Sequence, residues 1–332
     1  TDIEHIYKRS IYPTLLFAEY NGYKLNIIDT PGADDFCGGL FSAFKVADVG
    51  VMLINAQNGF EVGSEIQARY ARSHDKPIIA VINQLDSEKA SWEASLDSIR
   101  AASQVTPVVV QYPVNPGPDF NAFIDVLLMK MYKFKGDTGI REELDIPAEE
   151  MERATELNRI LTEAAAENDE ALMELYFEKG VLTQDELRSG LKLGLAKRDL
   201  IPVFCASGKR DIGAKRLMEF IINVAPGPLK APNFVTVDGR EIEPDSNGPT
   251  ALFVFKTTVE PHLGEVTYFR VVSGKVTEGM ELVNSKTGNK EKISQLFAVA
   301  GKNRVKVTEM MAGDIGCTVK LKGTRTNQTL ST

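Results

Sequence analysis

The stretch Leu25-Asn26-Ile27-Ile28-Asp29-Thr30-Pro31-Gly32-Ala33 decides how the rest of the chain is read. An apolar run that ends in an aspartate and breaks at Pro-Gly reads as a strand delivering a carboxylate to the edge where open α/β sheets bind ligands. There Asp29 can hold Mg²⁺ through water, and Gly32 can bring its amide close to a terminal phosphate. A turn after a strand is common by itself. It gains meaning from further strand ends at matching intervals along the chain.

Strand and helix patterns alternate on either side of that stretch. Residues 11–29 read as two strands joined at Asn21-Gly22, a dipeptide suited to a two-residue hairpin turn. Helical spacing is expected over 35–47, 62–74 and 87–102, with apolar strands at 49–55, 77–82 and 107–111. The rhythm resumes with a strand at 201–206 and a helix at 213–223. Such alternation predicts a mainly parallel sheet with helices on both faces. Residues 115–198 read as an insertion into that domain. Its helices begin after Pro147, cover 169–178, and restart at the capping box Thr183-x-x-Glu186. Pro226-Gly227-Pro228 and a polar stretch at 238–249 mark a linker. Beyond it, short strand-like runs at 251–258, 265–273, 280–284, 292–297 and 317–321 predict a small antiparallel barrel. The expected domains are therefore 1–228, a linker at 229–249, and 250–332.

Composition narrows the function classes. The chain has 332 residues, 43% of them hydrophobic and 25% charged, as in ordinary globular proteins. No apolar run approaches the roughly 20 residues of a membrane span, and no signal peptide is visible. Cys37, Cys205 and Cys317 have no CxxC spacing, so a reducing cytoplasm is expected rather than disulfides or a cysteine-zinc site. His5, His74 and His262 form no metal motif. The net charge of −8 is concentrated: residues 138–190 carry 15 acidic and 5 basic side chains, leaving a slightly basic remainder. RNA contact by that remainder is compatible with this balance.

Two more strand ends carry chemistry. Asn83-Gln84-Leu85-Asp86 follows the strand at 77–82 and resembles an NKxD guanine-specificity loop, in which the Asp accepts from the base's N1 and N2 donors. Asn83 would tie the loop together, and Gln84 stands where a lysine stem usually covers the base. Cys205-Ala206-Ser207-Gly208-Lys209 looks like a last guanine-binding loop, with Ser207 and the Gly208 amide near the base oxygen.

Together these motifs resemble the translational GTPases, specifically the elongation factor G family. Asp29-Thr-Pro-Gly-Ala-Asp-Asp-Phe36 is similar to the family's DTPGHVDF. Residues 201–207, the helical insertion and Pro226-Gly-Pro resemble its G domain with the G′ insertion. Tyr268-Phe-Arg-Val-Val-Ser-Gly-Lys-Val276 and Ala312-Gly-Asp-Ile315 resemble its domain II. The resemblance implies GTP/GDP and Mg²⁺ as ligands and the ribosome as partner. It places the G domain at the large-subunit factor site, domain II on the small subunit with rRNA contact, and the acidic insertion towards stalk proteins.

The departures are as specific. No GxxxxGK[ST] occurs, so the family's strand, P-loop and helix are expected before Thr1, and its later domains beyond Thr332. For the switch I hydroxyl that ligates Mg²⁺, an ungapped count reaches Ser10, while the local Arg9-Ser10-Ile11-Tyr12 pattern reaches Tyr12; Ser10 keeps the ligand chemistry. Ala33 replaces the histidine that would position the attacking water, so no catalytic residue is assigned and hydrolysis is expected to be impaired. Asp34 is a poor substitute, because its carboxylate points elsewhere along the turn. The functions left open are tRNA–mRNA translocation, ribosome recycling and ribosome protection.

Overall fold

The computed structural model describes residues 2–231, 233–261 and 263–332. His262 lies outside the described residues. Contacts divide the chain into two compact units, Val49–Pro226 and Thr1–Asp48 with Gly227–Thr332.

The Val49–Pro226 unit is built on a parallel sheet. Its strands are β3 (Gly50–Asn55), β4 (Ile78–Asn83), β5 (Thr106–Val109) and β10 (Leu200–Cys205), in the order β3-β4-β10-β5. Strand β4 is buried on both faces from Ile79 to Ile82, which explains an apolar run without alternation. Helices α3 (Val62–Ser73) and α4 (Trp92–Ala102) contact β3, β4 and β5. Helix α4 starts five residues later than the spacing predicts, because Ser91 Oγ accepts from Ala94 N at 3.3 Å and caps it there.

Between β5 and β10 lies the insertion, and its first part, before the helices expected after Pro147, is a sheet that the sequence pattern leaves unassigned. An antiparallel sheet runs β6 (Gln111–Pro113), β7 (Ala122–Asp125), β8 (Lys130–Phe134) and β9 (Arg141–Leu144). Then come α5 (Ala148–Ala166), α6 (Glu170–Lys179) and α7 (Gln184–Lys197), the last opening with the expected capping box of Thr183 and Glu186. Helix α8 (Ala214–Val224) follows β10. A buried ion pair ties α8 to the insertion. Arg216 Nε donates to Asp125 Oδ2 at 2.7 Å, Gln111 Nε2 donates to the same oxygen at 3.0 Å, and Leu128 N donates to Oδ1 at 3.0 Å. Arg216 is 4% exposed and Asp125 is fully buried.

The other unit opens with helix α1 (Asp2–Tyr7) and contains the expected hairpin. Strands β1 (Thr14–Tyr20) and β2 (Tyr23–Asp29) pair antiparallel from Thr14↔Asp29 to Tyr20↔Tyr23, with Asn21 (φ 49°) and Gly22 (φ 78°) both left-handed in the turn. Helix α2 (Cys37–Val46) follows. After the two-residue strands β11 (Phe234–Val235) and β12 (Glu241–Ile242) comes the antiparallel domain. Its strands are β13 (Ala251–Glu260), β14 (Gly264–Ser273), β15 (Lys275–Thr277), β16 (Glu281–Asn284), β17 (Lys290–Lys292) and β18 (Leu296–Ala300), then β19 (Asn303–Val307), β20 (Glu309–Met311), β21 (Ile315–Val319) and β22 (Gln328–Ser331). The main sheet runs β17-β16-β22-β13-β14-β21-β18-β19, and β15 pairs with β20. The run expected as one strand at 292–297 is two, separated where Ile293 turns inward and bonds Met280 O through its amide.

Strand β14 is buried on both faces. Phe269 and Val271 enter one core with Leu252, Leu282 and Leu330, while Val266 and Tyr268 enter a second with Leu15 and Val46. Residues 14–48 thus supply part of this unit's core, so the contacts group them with the antiparallel domain, whereas the sequence reading groups them with 1–228. Arg270 reinforces the packing: Nη2 meets Asp48 Oδ1 at 2.7 Å, and Nη1 donates to Val46 O. Cys205 and Cys317 are buried and Cys37 half-buried, all as free thiols.

Removing Arg216 would leave the Asp125 carboxylate buried without its cation. Arg216→Met is expected to destabilise the Val49–Pro226 unit by about 3–5 kcal/mol, and Arg216→Met with Asp125→Asn by much less. Urea titration followed by the fluorescence of the chain's one tryptophan, buried Trp92, measures both.

Candidate functional site

The seven expected ligand contacts and Ser10 divide between the units. Asn83, Gln84, Asp86, Ser207 and Gly208 lie in one, and Ser10, Asp29 and Gly32 in the other. The first group is brought together at the C-terminal ends of β4 and β10. Parallel pairing sets Val203 beside Ala80 and Cys205 beside Ile82, and Ala206 N extends the ladder to Ile82 O at 2.9 Å. The two loops then meet through their side chains. Ser207 Oγ donates to Asp86 Oδ1 at 2.7 Å, and Gly208 N donates to Asn83 Oδ1 at 2.9 Å.

Each loop has its own anchor. Leu85 is fully buried, its N–H reaching Ala206 O at 3.3 Å and its carbonyl accepting from Gly117 N at 2.7 Å. That burial turns Gln84 outward with φ 63°, a left-handed conformation unfavourable for a residue with a Cβ and held here by its neighbours. The second loop closes on itself through paired amide bonds between Ser207 and Ile212 at 2.9 and 3.0 Å. Arg210, which no sequence motif marks, braces it. Its Nε meets Asp137 Oδ1 at 2.7 Å, and Nη1 donates to Phe120 O at 2.9 Å. Its partners lie 73 and 90 positions away in the chain, so no local pattern reveals the brace.

This arrangement can recognise a planar base with adjacent donors. Among the described residues Asp86 Oδ2 accepts no hydrogen bond, so Ser207 fixes the carboxylate through one oxygen and leaves the other available. The Gly208 amide, expected near the base oxygen, is engaged by Asn83; a base carbonyl there would have to share that donor. A Cβ added at Gly208 would come no closer than 3.8 Å to Asn83, and one at Gly32 would meet nothing within 4 Å. Neither glycine is demanded by the protein's own packing, which fits a close approach by something outside it.

In the other unit Asp29 ends β2, and Ala33 precedes a 3₁₀ turn, its carbonyl accepting from Phe36 N at 3.0 Å. Loss of hydration, and second the charge of Glu4, hold the Asp29 carboxyl above the ordinary carboxylate range. Solvent screens the effect, since Asp29 is largely exposed. Glu4 Oε1 accepts from Ile11 N at 3.0 Å and Tyr12 N at 3.1 Å, fixing the backbone beside Ser10. Ser10 and Tyr12 are both exposed. No cluster of three or more His, Cys, Asp or Glu side chains suited to a metal occurs among the described residues. A Mg²⁺ ion here would accordingly rely on Asp29, a hydroxyl and ligand or water oxygens.

Comparison with known proteins identifies the family. Residues 3–227 match the family model of the elongation factor Tu GTP binding domain, and residues 249–332 match that of elongation factor G domain 2. The chain belongs to the elongation factor G family of translational GTPases. Elongation factor G of Thermotoga maritima is 33% identical over 317 residues, covering 94% of this chain and 46% of that protein. Elongation factor G of Thermotoga neapolitana is 32% identical over the same length. A crystal structure of a Thermus thermophilus protein superposes with a TM-score of 0.88 at 26% identity, covering all of this chain and 47% of its own. The chain thus spans about half the length of the elongation factor G relatives it matches. The parallel α/β domain and the antiparallel domain after it are those of the family.

The position of Asp29 has a measurable consequence. A carboxyl whose folded pKa lies above its unfolded value of about 3.9 loses stability as pH rises between those values, and the penalty persists above them. Asp29→Asn is therefore expected to be more stable than the parent chain at pH 7, with the difference vanishing below about pH 3.5. Thermal unfolding across a range of about pH 3–8 checks the sign.

Proposed function

We propose that this member of the elongation factor G family binds guanine nucleotide and acts on the ribosome as a GTP-gated translocation factor whose hydrolysis is slowed at residue 33. The observation that carries nucleotide binding is the cross-link of the two loops, Ser207 Oγ to Asp86 and Gly208 N to Asn83. It presents a fixed carboxylate edge with the acceptor that guanine's N1 and N2 donors need. On this reading Asp86 specifies the base, Asn83 and Ser207 position it, and Gln84 lies beside the base plane. Asp29 with Ser10 contacts Mg²⁺, and Gly32 meets the γ-phosphate.

The slow-hydrolysis part rests on Ala33. In-line attack on a phosphoryl group needs a side chain that orients water, and a methyl group neither accepts nor donates a hydrogen bond. Loss of such a group costs on the order of 10²-fold in rate. The elongation factor G relatives support the ribosome as partner, with rRNA contacts, stalk proteins at the acidic insertion, and a cytoplasmic location as the corresponding expectations. No helix among the described residues is long and apolar enough to cross a membrane.

Two substitutions in the full-length protein test the reading. Ala33→His should raise ribosome-stimulated GTP turnover by roughly 100-fold; equal turnover by parent and variant would sink the slow-hydrolysis assignment. Asp86→Asn replaces one acceptor oxygen with a donor, so GTP should bind at least about tenfold more weakly while xanthosine triphosphate gains. An unchanged preference between the two nucleotides in competition binding would remove Asp86 from the base site.

A further inference from the structure

The Val49–Pro226 unit has a second concavity that the nucleotide reading does not use. A cavity of about 280 Å³ opens between α3, α4, the end of α7 and the sheet, and none of residues 83–86 or 205–208 lines it. Met52, Ala68, Ala80, Ile99 and Leu200 give it an apolar wall. Ile78 and Leu200 are the first residues of β4 and β10, so the cavity lies towards the N-terminal ends of the strands whose C-terminal ends carry the base loops.

Its mouth is basic. Arg72, Lys76, Lys197 and Arg198 all line it. Arg198 pairs with Asp75 Oδ1 at 3.2 Å, and Lys197 Nζ donates to Asn168 O, a neutral carbonyl, at 2.8 Å. Arg72 is exposed and makes no ion pair among the described residues. An apolar interior whose lining also carries Arg72 and Lys197, neither in an ion pair among the described residues, suits a ligand that is itself divided, with an alkyl or aryl body and one anionic group. A cavity of about 280 Å³ has room for a short alkyl chain with its head group.

We propose that this cavity binds a small amphipathic anion, a medium-chain carboxylate or alkyl phosphate, with its tail against Met52, Ile99 and Leu200 and its head group at Arg72 and Lys76. Guanidinium and ammonium groups serve either head group, so the shared chemistry is an alkyl chain ending in one anionic head group. The site is independent of the base loops, and its occupancy does not depend on nucleotide.

Calorimetric titration of the full chain with octanoate, octyl phosphate and 1-octanol tests the assignment. One saturable site is expected, with at least one of the anions binding about tenfold more tightly than the alcohol and weakening as salt is raised. The tighter anion identifies the head group. Arg72→Ala with Lys76→Ala should weaken the anion at least about fivefold and leave the alcohol unchanged. Ala102→Phe, at an exposed position on the rim, should block all three while circular dichroism shows the fold retained. Octanol binding as tightly as both anions, or no saturable binding of any ligand, would overturn the proposal. Asp86→Asn should leave the octanoate isotherm unchanged, which separates this site from the base loops.

Discussion

Parallel pairing of β4 with β10 is the constraint on which the candidate site depends. The partners are more than 100 residues apart, yet the register Val203↔Ala80 to Cys205↔Ile82 fixes where both chains leave the sheet. A slip of one residue would exchange the faces of every side chain on β10. Ser207 Oγ would then leave Asp86, and the Gly208 amide would leave Asn83. The long connection is tolerable because loop closure grows only logarithmically, by about 0.6 kcal/mol per doubling. Its interior is also folded, and the buried Arg216–Asp125 pair fastens it to α8.

Legibility follows the range of the interactions. The hairpin at Asn21-Gly22 and the capping box at Thr183 are local devices, and both are readable as residue patterns. Strands β3, β4 and β10 are readable because they form uninterrupted apolar runs. The sheet of β6 to β9 is not. Its strands have three to five residues, and β9, Arg-Glu-Glu-Leu, looks like exposed helix until β8 pairs with it. Tertiary pairing overrides propensity there. Similarly, composition alone favours one strand across 292–297, but Ile293 is held by Met280 and Gly279 across a bend.

The two candidate loops are legible for a different reason. Asp86 and Ser207 are chemically suited residues directly after strands, and their spacing carries the expectation without knowledge of the contact between them. The contact adds what spacing lacks: Ser207 occupies one carboxylate oxygen, and Asn83 occupies the Gly208 amide. The supporting shell is invisible in the sequence because it is non-local. Arg210 reaches Asp137 and Phe120 in the insertion, and Leu85 receives Gly117. A side chain that serves by touching another loop leaves no pattern in its own.

Under the proposed function, residue 33 makes sensing and turnover separable. Asp29 offers a carboxylate and Gly32 a backbone amide, and neither group depends on the identity of the side chain at 33. The structure leaves both close to solvent, with no protein atom within 4 Å of a Cβ built at Gly32. Water positioning, on the same proposal, would be the task of one side chain, which Ala33 lacks, while the backbone turn is held by the Ala33 carbonyl accepting from Phe36 N. A substitution at 33 can therefore change how long a bound state lasts while leaving intact the groups that recognise it. Under the proposed function, that makes the lifetime of the nucleotide-bound state, rather than its formation, the quantity on which Ala33 acts.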